Sequence, residues 1–405
     1  MKIIVQKFGG TSVNSEEARQ AVTKKVQQAL AKGFSPVVVV SAMGRKGQPY
    51  ATDTLINTLK DNNLSVHARE LDLMMCCGEI ISACVMAATL QKVGLNACAL
   101  TGGQAGIVTD SQYGAARIKT IHTEALLNLL NADIIPVVCG FQGQPENNPQ
   151  STTLGRRGSD TTAAALGAAL NAEVVEIYTD VEGIMTADPR LVKDASLLDR
   201  VSYGDVCQMA HQGAKVIHPR AVEIAMAKNI PLLIKSTFSD APGTLITNPV
   251  CFTGGEAQIN EKSASGVTSI TGIAQFRVTL TPSDPAKGQA LFADLAEAGI
   301  SVGCLNLSET LAMFAVYDDK VAPTKKLLTE RQFSFVCNEH CAKVSVVGSC
   351  MEGVPGYMAR FVSALSTNKI GILQTVDSDV TISAVIKDQY EKAAVNALHS
   401  AFKLG

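Results

Sequence analysis

Lysines and carboxylates set beside glycine-rich turns are the residues of this chain that could do chemistry, and the first is Lys7. Lys2-Ile-Ile-Val-Gln-Lys7 reads as a short β-strand, Phe8-Gly9-Gly10-Thr11-Ser12 as a tight turn, and Asn14 as the start of a helix, with Glu17 completing a capping box. A strand, a two-glycine turn and a helix start together make an anion site. The glycines let the backbone approach a phosphate, and the unpaired N–H groups of the first helical turn point at it. Lys7, at the strand end, could carry its ammonium to a phosphoryl group in transfer. On this stretch alone the plainer reading is an ordinary strand-to-helix turn with one exposed lysine, because Gly-Gly turns are common. The turn is not a P-loop: the chain has no G-x-x-x-x-G-K-[ST] and no G-x-G-x-x-G after a strand.

Other candidates follow in order. Ser41-Ala-Met-Gly44 is a small-residue turn at the end of an apolar strand, the edge where open α/β sheets gather ligands. Thr52-Asp53 precedes a helix. Glu79 stands beside Ile80 and Ile81 in a long helical stretch. A carboxylate in apolar company is costly unless paired, so Glu79 either binds an ammonium group or lies on a solvated face. Thr153-Leu-Gly-Arg-Arg-Gly-Ser-Asp160 is a second glycine-rich loop feeding a helix of small residues. An arginine there suits bidentate recognition of a carboxylate. A surface arginine is the alternative for Arg156 and the preferred reading for Arg157. Thr179-Asp180 and Asp188-Pro-Arg190 could hold a nucleotide between two loops, or be no more than a polar loop. Lys215 comes just before a helix with Pro219 at its first position. Cys337-Asn-Glu-His-Cys341 lacks a second ligand pair and reads as structural, so no metal site is assigned.

These residues need elements to position them. Strands and helices alternate from residue 1 to about 248: Val37–Val40, Ile134–Cys139, Val174–Tyr178 and Pro231–Thr237 are apolar strands, and a helix runs from about Ser65 to Val93. That pattern predicts one α/β domain with a mostly parallel sheet. Residues 249–263 read as a linker. The remainder is an internal repeat of order βαββα, close to a ferredoxin-like unit, with Phe292 and Ile300 of the first copy matching Phe361 and Ile370 of the second.

Composition narrows the function. The chain has 405 residues, 46% of them hydrophobic, which suits two or three domains. A net charge of −2 and the absence of tryptophan leave nothing that points to nucleic acid. No apolar run approaches the ~18–20 residues that cross a bilayer, and no membrane partner is expected. The chain opens on a polar-flanked strand rather than a signal peptide, and eleven cysteines sit mostly within apolar segments. The expectation is a reducing, cytoplasmic setting.

Lys7-Phe-Gly-Gly-Thr-Ser-Val13, with the later segments, resembles the aspartokinases of the amino-acid kinase superfamily, and the resemblance covers nearly the whole chain. It implies an amino-acid kinase-like three-layer αβα sandwich at 1–248, the linker at 249–263, and two ACT domains at 264–335 and 336–405. In that family the first ACT domain is inserted into the second. It also implies transfer of the γ-phosphoryl group of ATP, with Mg2+, to the β-carboxylate of L-aspartate, the first step towards lysine, threonine, methionine and diaminopimelate. Lys7 then resembles the lysine that neutralises the transferring group, Asp160 the residue that positions it, and Lys215 a second phosphate-contacting lysine. Phe8, Gly9, Gly10, Thr11 and Ser12 resemble the phosphate cradle. Thr179, Asp180, Met185, Thr186, Asp188 and Arg190 resemble the nucleotide loop. Ser41, Thr52, Glu79, Arg156, Gly158 and Ser159 resemble the substrate contacts, with Glu79 near the α-amino group and Arg156 on the α-carboxylate.

The nucleophile is already an anion, since a free Asp side chain titrates near ~3.9, so no general base is needed and the work is charge neutralisation and positioning. Arg157 replaces the family's usual glycine, and a positive φ there would strain the turn by roughly 1–3 kcal/mol. Met185 stands where many relatives have Tyr. Gly303 and Gln374–Ser378 depart from the usual ACT residues, so lysine, threonine and diaminopimelate all stay open as effector. Homo-oligomerisation through the ACT domains is expected. The alternatives are a catalytically weak amino-acid sensor and a kinase of glutamate or acetylglutamate.

Overall fold

The structure, a computed structural model, describes residues 1–60, 66–155, 157–214, 216–248, 264–281, 285–348 and 355–405. The chain divides into two units, the first holding residues 1–184, 197–207 and 216–248, the second residues 185–196, 208–214 and the chain from 264 on. The expected linker at 249–263, Arg156 and Lys215 lie outside the described residues.

In chain order the first stretch holds β1 (Lys2–Phe8), α1 (Gly10–Val13), α2 (Glu16–Ala31), β2 (Phe34–Val40), α3 (Thr52–Lys60), α4 (Ala68–Lys92) and β3 (Ala97–Leu100). Then come β4 (Ile107–Thr109), β5 (Ile118–Ile121), α5 (Glu124–Asn131), β6 (Ile135–Cys139), β7 (Gln142–Pro145), β8 (Thr152–Thr153), α6 (Gly158–Ala169) and β9 (Val174–Thr179). After these come β10 (Arg200–Ser202), α7 (Tyr203–His211), α8 (Pro219–Lys228), β11 (Leu232–Ser236) and β12 (Thr244–Thr247). Eight strands form one sheet, ordered β10-β12-β11-β9-β1-β2-β6-β3. Every neighbouring pair is parallel except β11–β12. Val37–Val40 are wholly buried, as a strand covered on both faces must be.

The alternation of β1 shows which layers cover it. Gln6 faces α2, where its Nε2 donates to the Lys25 carbonyl, and Lys7 faces α6, where it meets Asp160. With α4 beside α2 and α8 beside α6, the sheet is the middle of three layers. Gly167 lets α6 lie close, since a Cβ there would come 2.2 Å from the Val175 side chain.

Two sequence expectations are corrected here. The main helix after the Gly-Gly turn begins at Glu16, not Asn14. Ser15 is its cap and accepts from the Ala18 N–H, while Gly10–Val13 forms a single separate turn that ends at Asn14. The hydroxyl of Ser15 fits a cap better than an asparagine already held in a right-handed turn. Second, α4 is long and apolar enough to cross a membrane by length and composition. It is a core helix nonetheless: Asp72 and Glu79 are buried along it beside Met86 and Leu90.

The second unit contains β13 (Gly266–Thr279), α9 (Pro285–Glu297), β14 (Gly303–Leu307), β15 (Leu311–Tyr317), α10 (Val321–Glu330), β16 (Phe335–Val347), α11 (Tyr357–Thr367), β17 (Gln374–Ser378), β18 (Thr381–Lys387) and α12 (Glu391–Ala401). Its antiparallel sheet is ordered β14-β15-β13-β16-β18-β17. β13 and β16 are shared between the two repeats. Ile273–Thr279 of β13 pairs with β15, while Cys341–Val347 of β16 pairs with β18. The first part of β13 pairs with the last part of β16, and Gln275–Val278 pairs with Phe335–Asn338. Each repeat thus takes its fourth strand from chain that lies outside its own βαββα run.

The repeat register also needs correcting. Leu291, Leu295 and Ile300 are buried in one half, and Phe361, Leu365 and Ile370 in the other. Ile300 N–H donates to Leu295 and Ile370 N–H to Leu365, each at a helix end. Leu291, not Phe292, is therefore the counterpart of Phe361, because packing fixes the equivalent face while a matching residue type does not.

Candidate active site

The Gly9–Gly10 turn leaves the sheet at the C-terminal end of β1, between the chain ends of β2 and β9. On one side Ser41 N–H donates to the Phe8 carbonyl (3.1 Å) and Gly44 N–H to the Gly10 carbonyl (3.0 Å). On the other, Gly9 N–H donates to the Tyr178 carbonyl (3.3 Å). Gly10 is sterically required: a Cβ would come 2.4 Å from the Ala42 carbonyl oxygen and 2.8 Å from that of Gly44. Ser12, buried in α1, shares a 2.7 Å hydrogen bond with Thr237 just beyond β11.

Lys7 is buried and its ammonium lies 2.6 Å from Asp160 Oδ1 in the first turn of α6. The same ammonium comes 3.8 Å from where a Cβ on Gly9 would stand, so the cation curls back over the turn. Asp160 is well placed to hold it, being on a helix that also brings Ser159 against Gly140 at the end of β6. A Cβ on Gly140 would lie 2.7 Å from the Ser159 Cβ. Gly158 is equally confined, against Phe141 and Leu154. His218, the cap of α8, is held below its ordinary pKa by burial, with nearby Asp160 opposing that shift.

Glu79 is buried, which rules out the solvated-face reading. Its Oε1 accepts from the Ala42 N–H (3.0 Å), and its Oε2 has no hydrogen-bond partner among the described residues. Burial pushes its carboxyl up to about 8, opposed in part by the Ala42 and Glu79 backbone N–H groups. A buried carboxyl with one oxygen unserved by the described residues is costly unless a donor reaches it. Ala42 joins it to the turn, since its N–H serves Glu79 and its carbonyl crowds Gly10. Thr52 begins α3, which packs on α4 next to Gly78. Asp72, also buried on α4, accepts from Thr153 N–H (2.8 Å), Thr153 Oγ1 (2.9 Å) and Gly114 N–H (3.0 Å), which fixes the approach to the Gly155–Gly158 loop.

The remaining expected residues divide between the units. Thr179 ends β9 and Asp180 follows it, next to Tyr178, whose carbonyl accepts from the Gly9 N–H. Met185, Thr186, Asp188 and Arg190 belong to the second unit. There Thr186 is buried, its hydroxyl shared with His399 Nε2 of α12 (2.9 Å) and with the Ser196 N–H (3.0 Å), while Arg190 pairs with Asp188. Arg157 is exposed and left-handed, with φ 55° and ψ 28°, at the cap of α6. The glycine-favouring geometry that the sequence raised as a condition is the one this arginine adopts. Cys341 is buried and donates to the Asn338 carbonyl, and the described residues hold no group of His, Cys, Asp and Glu arranged around a metal.

Arg45, Asp72 and Thr237 were not singled out from sequence. The pair Arg45-Lys46 between Gly44 and Gly47 was the one signal that could have marked the first.

Comparison with known proteins gives the family. The profile of the amino acid kinase family matches residues 2–236 and that of an ACT domain matches residues 336–400. The chain is 43% identical over 404 residues to Aspartokinase 1 of Bacillus subtilis (strain 168), covering 100% of both. Its fold matches that of E. coli aspartokinase III in complex with aspartate and ADP (R-state), with a TM-score of 0.79 at 24% identity and 99% of each chain covered. The same enzyme in complex with lysine and aspartate (T-state) gives a TM-score of 0.75 at 23% identity, again with 99% of each chain covered. A glycine turn with a fixed cation, a buried carboxylate beside it, a paired ferredoxin-like unit and full-length similarity converge: the chain belongs to the aspartokinases, the amino acid kinases that phosphorylate aspartate.

Proposed function

We propose that the Gly9–Gly10 turn with Lys7 binds the polyphosphate of ATP and that Glu79 receives the α-amino group of L-aspartate, so that the γ-phosphoryl group passes to the β-carboxylate. The observation that carries this is the buried Lys7–Asp160 pair curled over the turn, with Glu79 one residue contact away through Ala42. The acceptor oxygen needs no deprotonation, so the site's task is to bring two anions together. Lys7 offsets phosphate charge, Asp160 keeps Lys7 from wandering, and Thr11, Ser12 and the backbone N–H groups complete the cradle. Lys215 is proposed as the second phosphate lysine. Arg156, with Ser41, Thr52, Gly158 and Ser159, is proposed for the rest of aspartate. Thr179, Asp180, Met185, Thr186, Asp188 and Arg190 are proposed for the nucleoside side.

Of the carboxylates near the turn, Asp160 is engaged with Lys7, Asp180 with Arg45 and Glu79 with the Ala42 N–H. So few carboxylates, with no cage of oxygens, would suit Mg2+ brought with the nucleotide, which would supply further charge neutralisation. The proposed division is 1–248 catalytic, 249–263 linker, and 264–335 and 336–405 regulatory, with β13 and β16 exchanged between the last two. An amino-acid effector for that pair is supported by the lysine complex of the E. coli relative. Homo-oligomerisation through the ACT pair and a cytoplasmic location complete the reading.

A hydroxamate assay for acyl phosphate, with ATP and Mg2+, tests it. Product is expected from L-aspartate and not from glutamate, and suppression by lysine, threonine or diaminopimelate identifies the effector. Equal turnover of glutamate would overturn the acceptor assignment.

A further inference from the structure

One cation at the phosphate turn is used by none of the roles above. Arg45 follows Gly44, whose N–H is hydrogen-bonded to the Gly10 carbonyl, so its backbone is fixed one residue from the turn. Its N–H donates to Gln48 Oε1 (2.7 Å), and Gln48 N–H returns a bond to the Arg45 carbonyl (2.9 Å). Gly44 has φ 89°, and Gln48 fills the space where a Cβ on Gly44 would lie. The loop is therefore built to present residue 45.

The Arg45 guanidinium pairs with the carboxylate of Asp180. These two residues come from opposite sides of the turn, Arg45 from the end of β2 and Asp180 from the end of β9, with β1 between the two strands. The side chain therefore crosses the place where the turn would receive phosphate. The hold is weak by construction, because the side chains of Arg45 and Asp180 are 69% and 46% exposed, and exposed ion pairs contribute little. Lys7, by contrast, is buried against its carboxylate. A polyphosphate brings several negative charges and paired oxygens that suit a guanidinium fork better than one solvated carboxylate does.

We propose that Arg45 is a nucleotide-phosphate ligand that leaves Asp180 for the polyphosphate as nucleotide binds. The inference rests on the reading of the Gly9–Gly10 turn as the polyphosphate site. Release of Asp180 at the same moment frees that carboxylate for the nucleotide.

The test is nucleotide binding and steady-state kinetics on the full chain with R45M, R45K and K7A, each checked for an unchanged melting temperature. R45M is expected to weaken ADP binding and raise the KM for ATP at least tenfold, to leave adenosine binding and the KM for aspartate within about twofold, and to be partly rescued in R45K. Unchanged ADP binding in R45M with K7A impaired would overturn the role of Arg45 and leave the turn assignment standing. Unchanged ADP binding in both would overturn the turn assignment as well. A raised KM for aspartate alone would move Arg45 to the acceptor and end this proposal.

Discussion

At the scale of single residues, Glu79 carries the sharpest consequence. Its carboxyl ordinarily titrates near 4.5 and burial raises it to about 8, so between those values the folded chain keeps a proton that the unfolded chain has lost. Stability supplied by this residue is therefore full below about 4.5 and falls as pH rises towards about 8. An arriving ammonium needs the ionised form, so the KM for aspartate should fall as pH rises from 6.5 to 8.5 and level off above the Glu79 pKa. Glu79→Gln should flatten that profile, raise KM by at least tenfold, and stabilise the unliganded protein at pH 8. A KM profile identical to that of the parent would remove Glu79 from the ammonium site.

Arg157 makes the second prediction. Its left-handed conformation costs roughly 1 kcal/mol, part of which glycine would give back through its freer unfolded chain. Arg157→Gly is expected to stabilise by no more than about 1 kcal/mol and to leave kcat within twofold. A large gain in turnover would instead make Arg157 a brake and favour a sensing role. Glu79 stood out in the sequence as a carboxylate in apolar company and Lys7 as a cation at a glycine-rich turn, but their burial did not, and Asp160 came only with the family resemblance. Arg45 did not stand out, since nothing in a local pattern says that a loop basic residue reaches a carboxylate across two strands.

At the scale of elements, α4 joins core and site. Its Gly78 faces the segment that carries Ala42, where a Cβ would lie 2.8 Å from the Ala42 Cβ and 3.1 Å from the Tyr50 carbonyl oxygen. Gly78→Ala should push that segment off the helix and loosen the Ala42–Glu79 hydrogen bond. The expected result is a loss of about 1–3 kcal/mol in denaturant melts and a larger rise in KM for aspartate than for ATP. The buried strands were legible from their valine runs. The cap of α2 lies one residue beyond Asn14, because Asn14 and Ser15 both look like caps. Only the backbone at Ser15, extended while Asn14 is still helical, separates them.

At the scale of the whole molecule, the chain leaves the first unit after Ile184 and enters the second at Met185. Residues 185–196 are held there by Thr186 on His399, by the Val267 N–H on the Thr186 carbonyl, by Asn396 on the Leu191 carbonyl, and by Ser196 on the Leu404 carbonyl. His399→Ala should release the Thr186 hydroxyl and cost about 1–3 kcal/mol in denaturant melts. An unchanged melt would show that this hydrogen bond does not hold the segment. The βαββα string is the same whether a fourth strand is borrowed or owned, and only the family resemblance, with its first ACT domain inserted into the second, pointed to borrowing.

The exchange of β13 and β16 has a consequence for how the polypeptide is made. Ser269 of the first strand pairs with Val344 of the second. A ribosome that adds about 5–20 residues per second needs roughly 4–15 s to span that interval. Throughout it, the first half of β13 has been synthesised and its partner has not, an unpaired strand edge of the kind that joins neighbouring chains. Yield of native protein should therefore respond to translation speed and to holding chaperones during this window, and a message stalled between the codons for Ser269 and Val344 should release a product that aggregates.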